Sequence, residues 1–165
     1  MAQPLIVRPE VPADIAAIRH AVSAAFGGAA EAGLVERLRA EGDGVLSLVA
    51  LVGPALVGHV FLSRMRAPFR ALALAPVSVQ PQSQRAGVGS LLIRAALRRA
   101  RDDGWQAAFV LGDPAYYRRF GFDPAAAAGF VSPYAGPHLM AAVLLPPVPT
   151  TTGRVCHATA FAALG

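Results

Sequence analysis

Between an apolar run and an amphipathic one, the chain reads Gln84-Arg85-Ala86-Gly87-Val88-Gly89-Ser90. A segment that enters as a strand, passes two glycines at this spacing and leaves as a helix has few ways to turn. Gly87 and Gly89 have no side chain to hold a ligand off, so several backbone N–H groups can converge on one point. The first turn of the following helix adds its own unpaired N–H groups and the positive end of its dipole. The result is a strand–turn–helix unit with a seat for a phosphate or pyrophosphate at the turn.

A length of 165 residues suits one well-packed domain and is short for two, so a single domain over residues 1–165 is expected. The hydrophobic fraction is 55%, the charged fraction 15% and the mean hydropathy +0.46, a composition that excludes disorder over most of the length. The formal charge is +5, and all 15 basic residues are arginine. Arginine and alanine in place of lysine is what a GC-rich genome writes; the sharper reading is attraction to an anionic ligand. The arginines are scattered instead of gathered into a stripe with stacking aromatics, so no nucleic-acid partner is expected. Cys156 stands alone, which excludes an internal disulfide and a cysteine-based metal site, and no metal is expected. The opening Met1-Ala2-Gln3-Pro4 lacks the features of a secretory leader, and a cytoplasmic location is expected.

Two uncharged stretches have the length of a membrane span. Residues 44–63 are interrupted by Gly53-Pro54 and read as two strands around a turn. The stretch from Asp123 to Arg154 holds Pro124, Pro133, Pro137, Pro146, Pro147 and Pro149, which no continuous helix survives. No membrane association is expected.

Periodicity orders the elements. Residues 5–8 form an opening strand. Ile15, Ile18, Val22 and Phe26 recur at helical spacing over 13–26, and Gly27-Gly28 ends that helix. Leu34, Val35 and Leu38 mark a second helix over 30–41, ended by Gly42. Residues 45–52 and 56–62 pair as a hairpin, and 69–79 is the next strand, with Pro76 demanding an edge, a bulge or a splayed end. The glycine turn opens a helix whose apolar face is Val88, Leu91, Leu92, Ala95 and Ala96, closed by Asp102-Asp103-Gly104. An apolar strand covers 105–111. Asp113 caps a short helix with Pro114 at its first position, running to Arg119 and stopping before Gly121. Residues 138–145 form a further strand, and 154–161 are a candidate for another. Strands and helices alternate around one mixed sheet, giving an α+β or α/β class.

Three ligands compete for the turn. A dinucleotide fingerprint wants a third glycine where Leu92 stands, and this turn lies mid-chain behind several strands. A Walker A loop needs a lysine that the chain does not have. The third is acyl-coenzyme A. Gln84-x-x-Gly87-x-Gly89 resembles the Q/R-x-x-G-x-G/A signature of the GNAT superfamily of N-acetyltransferases. The order of elements resembles that family over most of the chain. About thirty residues on, Tyr117-Arg118-Arg119-Phe120-Gly121-Phe122 is similar to its Y-x-x-x-G-F segment, and the longer run from Gly112 to Phe122 resembles a bacterial branch of that family.

The resemblance implies a GNAT-type fold, a central mixed and mostly antiparallel sheet flanked by helices. It implies acetyl-CoA as co-substrate and an amine on a small molecule or peptide as acceptor. Backbone amides of Arg85, Ala86, Gly87, Val88, Gly89 and Ser90, with Gln84, would hold the pyrophosphate. The strand ending at Val77-Ser78-Val79 would pair with the pantetheine arm, and splaying near Pro76 would admit it. Tyr117 holds the position of the family's tyrosine acid; a phenol near pKa 10 can protonate a departing thiolate whose thiol lies near about 8.5. Tyr116, adjacent, takes the role if the alignment slips by one. A strand-end N–H at Val79 would stabilise developing oxyanion charge. Many family members carry an asparagine several residues before the tyrosine; here Asp113 stands in a compact Gly112-Asp113-Pro114 entry and reads first as an N-cap.

No general base is identified. His59 reads as a partly buried structural histidine, His138 as a residue at the edge of the acceptor pocket, and Glu31 and Glu36 as the solvated face of the second helix. Residues 133–149 shape either the far wall of that pocket or a homodimer contact. The function expected is direct acetyl transfer from acetyl-CoA to an amine in a ternary complex. The alternative is a non-catalytic acyl-CoA-binding sensor or regulatory module on the same fold.

Overall fold

The protein is described by a computed structural model covering residues 3–164. Met1 and Ala2, where the segment read as leaderless begins, and Gly165 lie outside the described residues. Contacts divide the chain into two compact units: Met1–Leu62, Ala75–Ala96 and Thr159–Gly165, and then Ser63–Leu74 and Leu97–Ala158.

The first unit opens with β1 (Leu5–Pro9), α1 (Ile15–Phe26), α2 (Ala30–Ala40), β2 (Gly44–Val52) and β3 (Ala55–Arg64), the last two residues of β3 falling in the second unit. Gly27 ends α1 in the left-handed conformation, φ 71°, which glycine adopts without a Cβ penalty. Ile18, Ala21 and Val22 of α1 are buried with Ala32 of α2, Val49 of β2 and Leu56 of β3. Each large apolar side chain removed from water in this way stabilises by about 1.5–3 kcal/mol. Phe26 departs from the expected stripe and is 46% exposed, while Ala21 takes the inward position.

β2 and β3 are joined at Gly53-Pro54, as the hairpin reading expects. Gly58 in β3 has a packing reason of its own. An added Cβ would stand 2.9 Å from Val88 Cγ1 and 3.0 Å from Leu92 Cδ1, so the helix that follows the glycine turn is seated against a bare backbone. Gly58→Ala should therefore destabilise by about 1–3 kcal/mol through overpacking. A urea midpoint unchanged from the parent protein would show that this seat has slack.

β4 (Ala71–Val79) is followed by the glycine turn and α3 (Val88–Asp102). The buried stripe of α3 is Val88, Leu92, Ile93, Ala96, Leu97 and Ala100. The expected face is corrected in two places: Leu91 is 45% exposed, and Ile93 and Leu97 are inside. From Val88 the inward positions are i+4, i+5, i+8, i+9 and i+12, and Leu91 at i+3 falls outside them. Gly104, at φ 89°, closes the helix, with the Trp105 N–H donating back to Ala100 O at 3.0 Å.

The second unit holds β5 (Ala107–Leu111), α4 (Pro114–Tyr117) with a 3-10 turn over Arg118–Phe120, α5 (Pro124–Ala127), β6 (Phe130–Val131), β7 (Leu139–Val143) and β8 (Gly153–Arg154). Its core is aromatic: Phe109 and Phe130 meet edge to face at 5.7 Å, and Phe69 lies 5.6 Å from Phe130. Asp113 caps α4 as expected, accepting from the Ala115 N–H at 2.9 Å.

Six strands form the mixed sheet in the order β1-β2-β3-β4-β5-β7, and β6 and β8 form a separate pair. β1 with β2 and β5 with β7 are antiparallel; β4 with β5 is parallel. The parallel register covers Ala71↔Ala107 to Ala73↔Phe109 and ends before Pro76. Pro76 lies beyond these paired residues, and proline brings no N–H to a ladder. β4 is not an edge strand. The candidate strand over 154–161 is corrected: only Gly153–Arg154 is extended, and Thr159–Leu164 is a 3-10 helix with Ala160 and Phe161 buried. No helix among the described residues is long and apolar enough to cross a membrane.

Candidate functional site

In the first unit, the end of β4 and the turn after it carry the expected binding residues. Val77 and Val79 are partly exposed and Ser78 between them is buried, the alternation of a strand with one solvent-facing edge. Ser78 Oγ has no hydrogen-bond partner. Gln84 donates from Nε2 to the Val79 carbonyl at 2.9 Å, tying the turn back to the strand it leaves. Arg85 sits at φ 67° and Gly87 at φ 82°, so two residues of the turn are left-handed. This is the kind of backbone that aims successive N–H groups into one concavity. Arg85 is not glycine, and holding it there costs on the order of 1–3 kcal/mol, a strain typical of ligand clamps. A Cβ added at Gly87 would meet nothing within 4 Å, so the space above the turn is open. The first bond of α3 runs from the Leu91 N–H to Gly87 O at 3.1 Å. The N–H groups of Val88, Gly89 and Ser90 precede it and, in the first turn of a helix, have no intrahelical acceptor. Ala86 is exposed, Val88 is buried by its side chain, and Gly89 and Ser90 lie between.

In the second unit, Tyr117 ends α4. Its ring packs on Gly112, where an added Cβ would come within 2.5 Å of Tyr117 Cε2. Tyr116, Phe120 and Phe122 surround it at ring separations of 5.0, 6.3 and 5.9 Å. Burial, with the neighbouring Tyr116 phenol adding to it, pushes the Tyr117 hydroxyl up to about 12. Tyr116 is turned elsewhere, against Phe120 and under the Arg119 guanidinium at 4.8 Å. Gly112 is pinned on its other side by His138, the residue before β7: its N–H donates to His138 O at 3.0 Å, and its carbonyl lies 3.1 Å from His138 Nδ1. Beside these residues a cavity of about 470 Å³ is lined by Leu111, Gly112 and residues 134–138.

Sequence reasoning missed one polar cluster, in the first unit. Glu10 accepts from Arg39 Nη2 at 2.6 Å and from Ser47 Oγ, and Ser47 Oγ lies 2.8 Å from His59 Nε2. His59 is fully buried, more so than expected, and desolvation followed by the charge of Arg39 pushes its imidazole down to about 3. It is therefore neutral near pH 7, and its 3.9 Å approach to Glu10 is no ion pair. With the Ser47 hydrogen spent on Glu10, Ser47 Oγ accepts from His59 Nε2–H, which leaves Nδ1 as a buried acceptor without a partner. Nothing local in the sequence announces this set, because its hydrogen-bonded pairs lie 12, 29 and 37 residues apart. Glu36, read as part of a solvated face, forms an exposed ion pair with Arg19 at 2.8 Å. Among the described residues no group of three or more His, Cys, Asp or Glu is placed to hold a metal ion.

Comparison with known proteins gives one consistent result. The sequence profile of the acetyltransferase (GNAT) family matches residues 15–122. The uncharacterized N-acetyltransferase YjhQ of Escherichia coli (strain K12) is 38% identical over 130 residues, covering 73% of this chain and 71% of that protein. The crystal structure of the Escherichia coli GNAT family N-acetyltransferase YhbS, in complex with CoA, has a TM-score of 0.93 at 28% identity, covering 100% of this chain and 96% of that one. A GNAT family acetyltransferase from Brucella melitensis, in complex with acetyl-CoA, has a TM-score of 0.83 at 33% identity over 96% of this chain and 99% of that one. With its profile match over residues 15–122 and a relative at 38% identity, this chain belongs to the GNAT family of acetyltransferases.

Proposed function

We propose that this chain, acting as one catalytic domain, moves the acetyl group of acetyl-CoA directly to an amine with both substrates bound. The observation that carries the reading is the 84–90 turn: left-handed Arg85 and Gly87 and a helix whose first internal bond waits until Leu91. Those amides fit a pyrophosphate, because they are donors without acceptors and the space over Gly87 is open. Arg85 adds a positive charge to the same turn. The edge of Val77, Ser78 and Val79, released from β5 beyond Ala73, offers backbone groups to the amides of a pantetheine arm, and the Val79 N–H suits developing oxyanion charge.

Bound there, the thioester supplies an activated acetyl carbon. The amine nitrogen forms the new C–N bond as the C–S bond breaks. Tyr117 Oη gives its proton to the departing sulfur and recovers one from the nitrogen through solvent. Burial keeps that phenol protonated at every pH at which the reaction would be run. Tyr116, stacked under Arg119, is the poorer donor.

Thermal unfolding with saturating acetyl-CoA, CoA, NAD and ATP tests the binding. A ligand at about 100 times its Kd stabilises by roughly 2.7 kcal/mol, which is several degrees for a chain of this size. A shift with CoA and acetyl-CoA alone supports the reading. No shift with either, or a larger one with NAD, overturns it. Tight CoA binding without turnover against broad amine panels would instead favour a non-catalytic sensor.

A further inference from the structure

An open concavity in the second unit adjoins the tyrosine ring. The cavity of about 470 Å³ is within the range of small-molecule pockets, and it shares Gly112 with the ring of Tyr117. Its walls are Leu111, which is 49% exposed, Gly112 and the 134–138 loop, Tyr-Ala-Gly-Pro-His. The loop is built to stand by itself. Ser132 Oγ accepts from the Tyr134 N–H at 3.1 Å, its carbonyl accepts from the Ala135 N–H at 3.1 Å, and the Tyr134 ring rests edge-on against His157 at 4.9 Å. A second cleft of about 410 Å³ shares Ala135, Gly136 and Pro137 with the first and is walled otherwise by proline, alanine and Leu139. Neither lining includes an aspartate or a glutamate. Asp113, the acidic neighbour of Gly112, has Oδ1 committed to the Ala115 N–H.

Within the first cavity one side chain is equipped to take a proton. His138 Nδ1 lies 3.1 Å from the Gly112 carbonyl, and a carbonyl oxygen only accepts, so Nδ1 carries the hydrogen. In the neutral ring Nε2 is then the lone-pair nitrogen, and His138 is exposed. The groups around it are the Tyr134 phenol on the same loop, His157 against Tyr134, and Tyr117 and Asp113 on the exit of β5 and in α4.

We propose that this cavity is the acceptor site, that it takes a primary amine carried on a single uncharged apolar or aromatic body, and that His138 Nε2 is the base that deprotonates it. This rests on the acetyl-transfer reading above. The protons balance. The ammonium gives one proton to His138, and from there it passes to water. As the C–N bond forms and the C–S bond breaks, the nitrogen loses a second proton, which replaces the one Tyr117 hands to the sulfur. Polyamines, aminoglycosides and lysine side chains in basic peptides bring further cations, and the walls hold no carboxylate to meet them.

The experiment uses the full chain with saturating CoA. Thermal shifts and acetylation rates are measured for 2-phenylethylamine, benzylamine, spermidine, kanamycin and a lysine-rich peptide. The two aralkyl amines should add a further shift over CoA alone and be acetylated, with kcat/KM at least about tenfold above the polycations. His138→Gln should lower kcat about a hundredfold while leaving the CoA shift intact. Added imidazole should restore part of its rate. Tyr134→Ala should raise KM for aralkyl amines with little change in kcat. If CoA binds and polycations are preferred, or neither aralkyl amine binds at millimolar concentration, this inference fails and the acetyl-transfer reading stands. If acyl-CoAs of longer chain are preferred and Tyr134→Ala abolishes that preference, the cavity holds the acyl group and the inference fails. Absence of the CoA shift itself would bring down the parent reading.

Discussion

Tyr117→Phe should lower kcat by at least about a hundredfold while acetyl-CoA still raises the unfolding temperature as it does for the parent protein. General acids contribute typically 10²–10⁴ in rate, and a hundredfold is about 2.7 kcal/mol of barrier. The substitution removes one oxygen and leaves the ring on Gly112, among Tyr116, Phe120 and Phe122, so little else should change. Burial has pushed the phenol up to about 12, which makes it a weaker acid than tyrosine in water. The same dry surroundings disfavour a thiolate, and the proton moves according to the difference between the two groups, not the absolute value of either. The shift also has a signature in pH. A tyrosine with an ordinary value would begin to ionise near pH 10 and take the rate down with it; here any alkaline loss caused by Tyr117 should appear only near pH 12. A rate for Tyr117→Phe within about threefold of the parent would remove the tyrosine from the chemistry.

Acidification should unfold the protein through its buried histidines. His59 is fully buried, and its imidazole is pushed from 6.5 down to about 3; His157 is pushed down to about 4. The unfolded chain takes up these protons more readily than the folded one. Stability is therefore complete above pH 6.5 and is lost as pH falls from there toward 3. For His59 the difference corresponds to something on the order of 5 kcal/mol over that window, a large part of a typical domain's total. His59→Gln keeps a donor toward Ser47 and has no proton to gain, so its unfolding temperature should fall less steeply between pH 6 and 4 than that of the parent. Parallel curves for the two proteins would show that other groups control acid unfolding. Asp14, held below the ordinary carboxylate range by its hydrogen bond from Arg8, adds a further loss at lower pH that both proteins share.

The parts of this protein that could be read in advance are those decided by a few neighbouring residues. Asp113 had to cap because Pro114 followed it, and Gly27 and Gly104 had to end helices. The structure shows the Asp113 carboxylate on the Ala115 N–H and left-handed φ at Gly27 and Gly104. The motif residues of the turn and Tyr117 entered through their resemblance to a family pattern of short spacing, which is also a local property. That Pro76 would disrupt a strand was equally local; which disruption resulted was not.

Elsewhere the sequence left several answers, and long-range packing chose among them. Leu91 and Ile93 are equally apolar, but the inward side of α3 is set by the bare backbone of Gly58, thirty residues earlier in the chain. Residues 154–161 have the composition of a strand, yet Arg154 pairs with β6, Cys156 makes an isolated bridge to Arg66, and from Thr159 the chain turns into a 3-10 helix that buries Phe161. Glu10, Arg39, Ser47 and His59 come from three elements and the loop after β1, and a hydrogen bond between residues 37 apart leaves no periodic trace. His138 is the same case: its tautomer depends on a carbonyl 26 residues away. By itself the sequence determined the turns, the caps and the chemistry available at them, because those depend on backbone sterics within a few bonds. Only the tertiary structure decided which side chains were dried, paired or left facing a cavity, because desolvation and hydrogen bonding act between whatever groups the fold brings together.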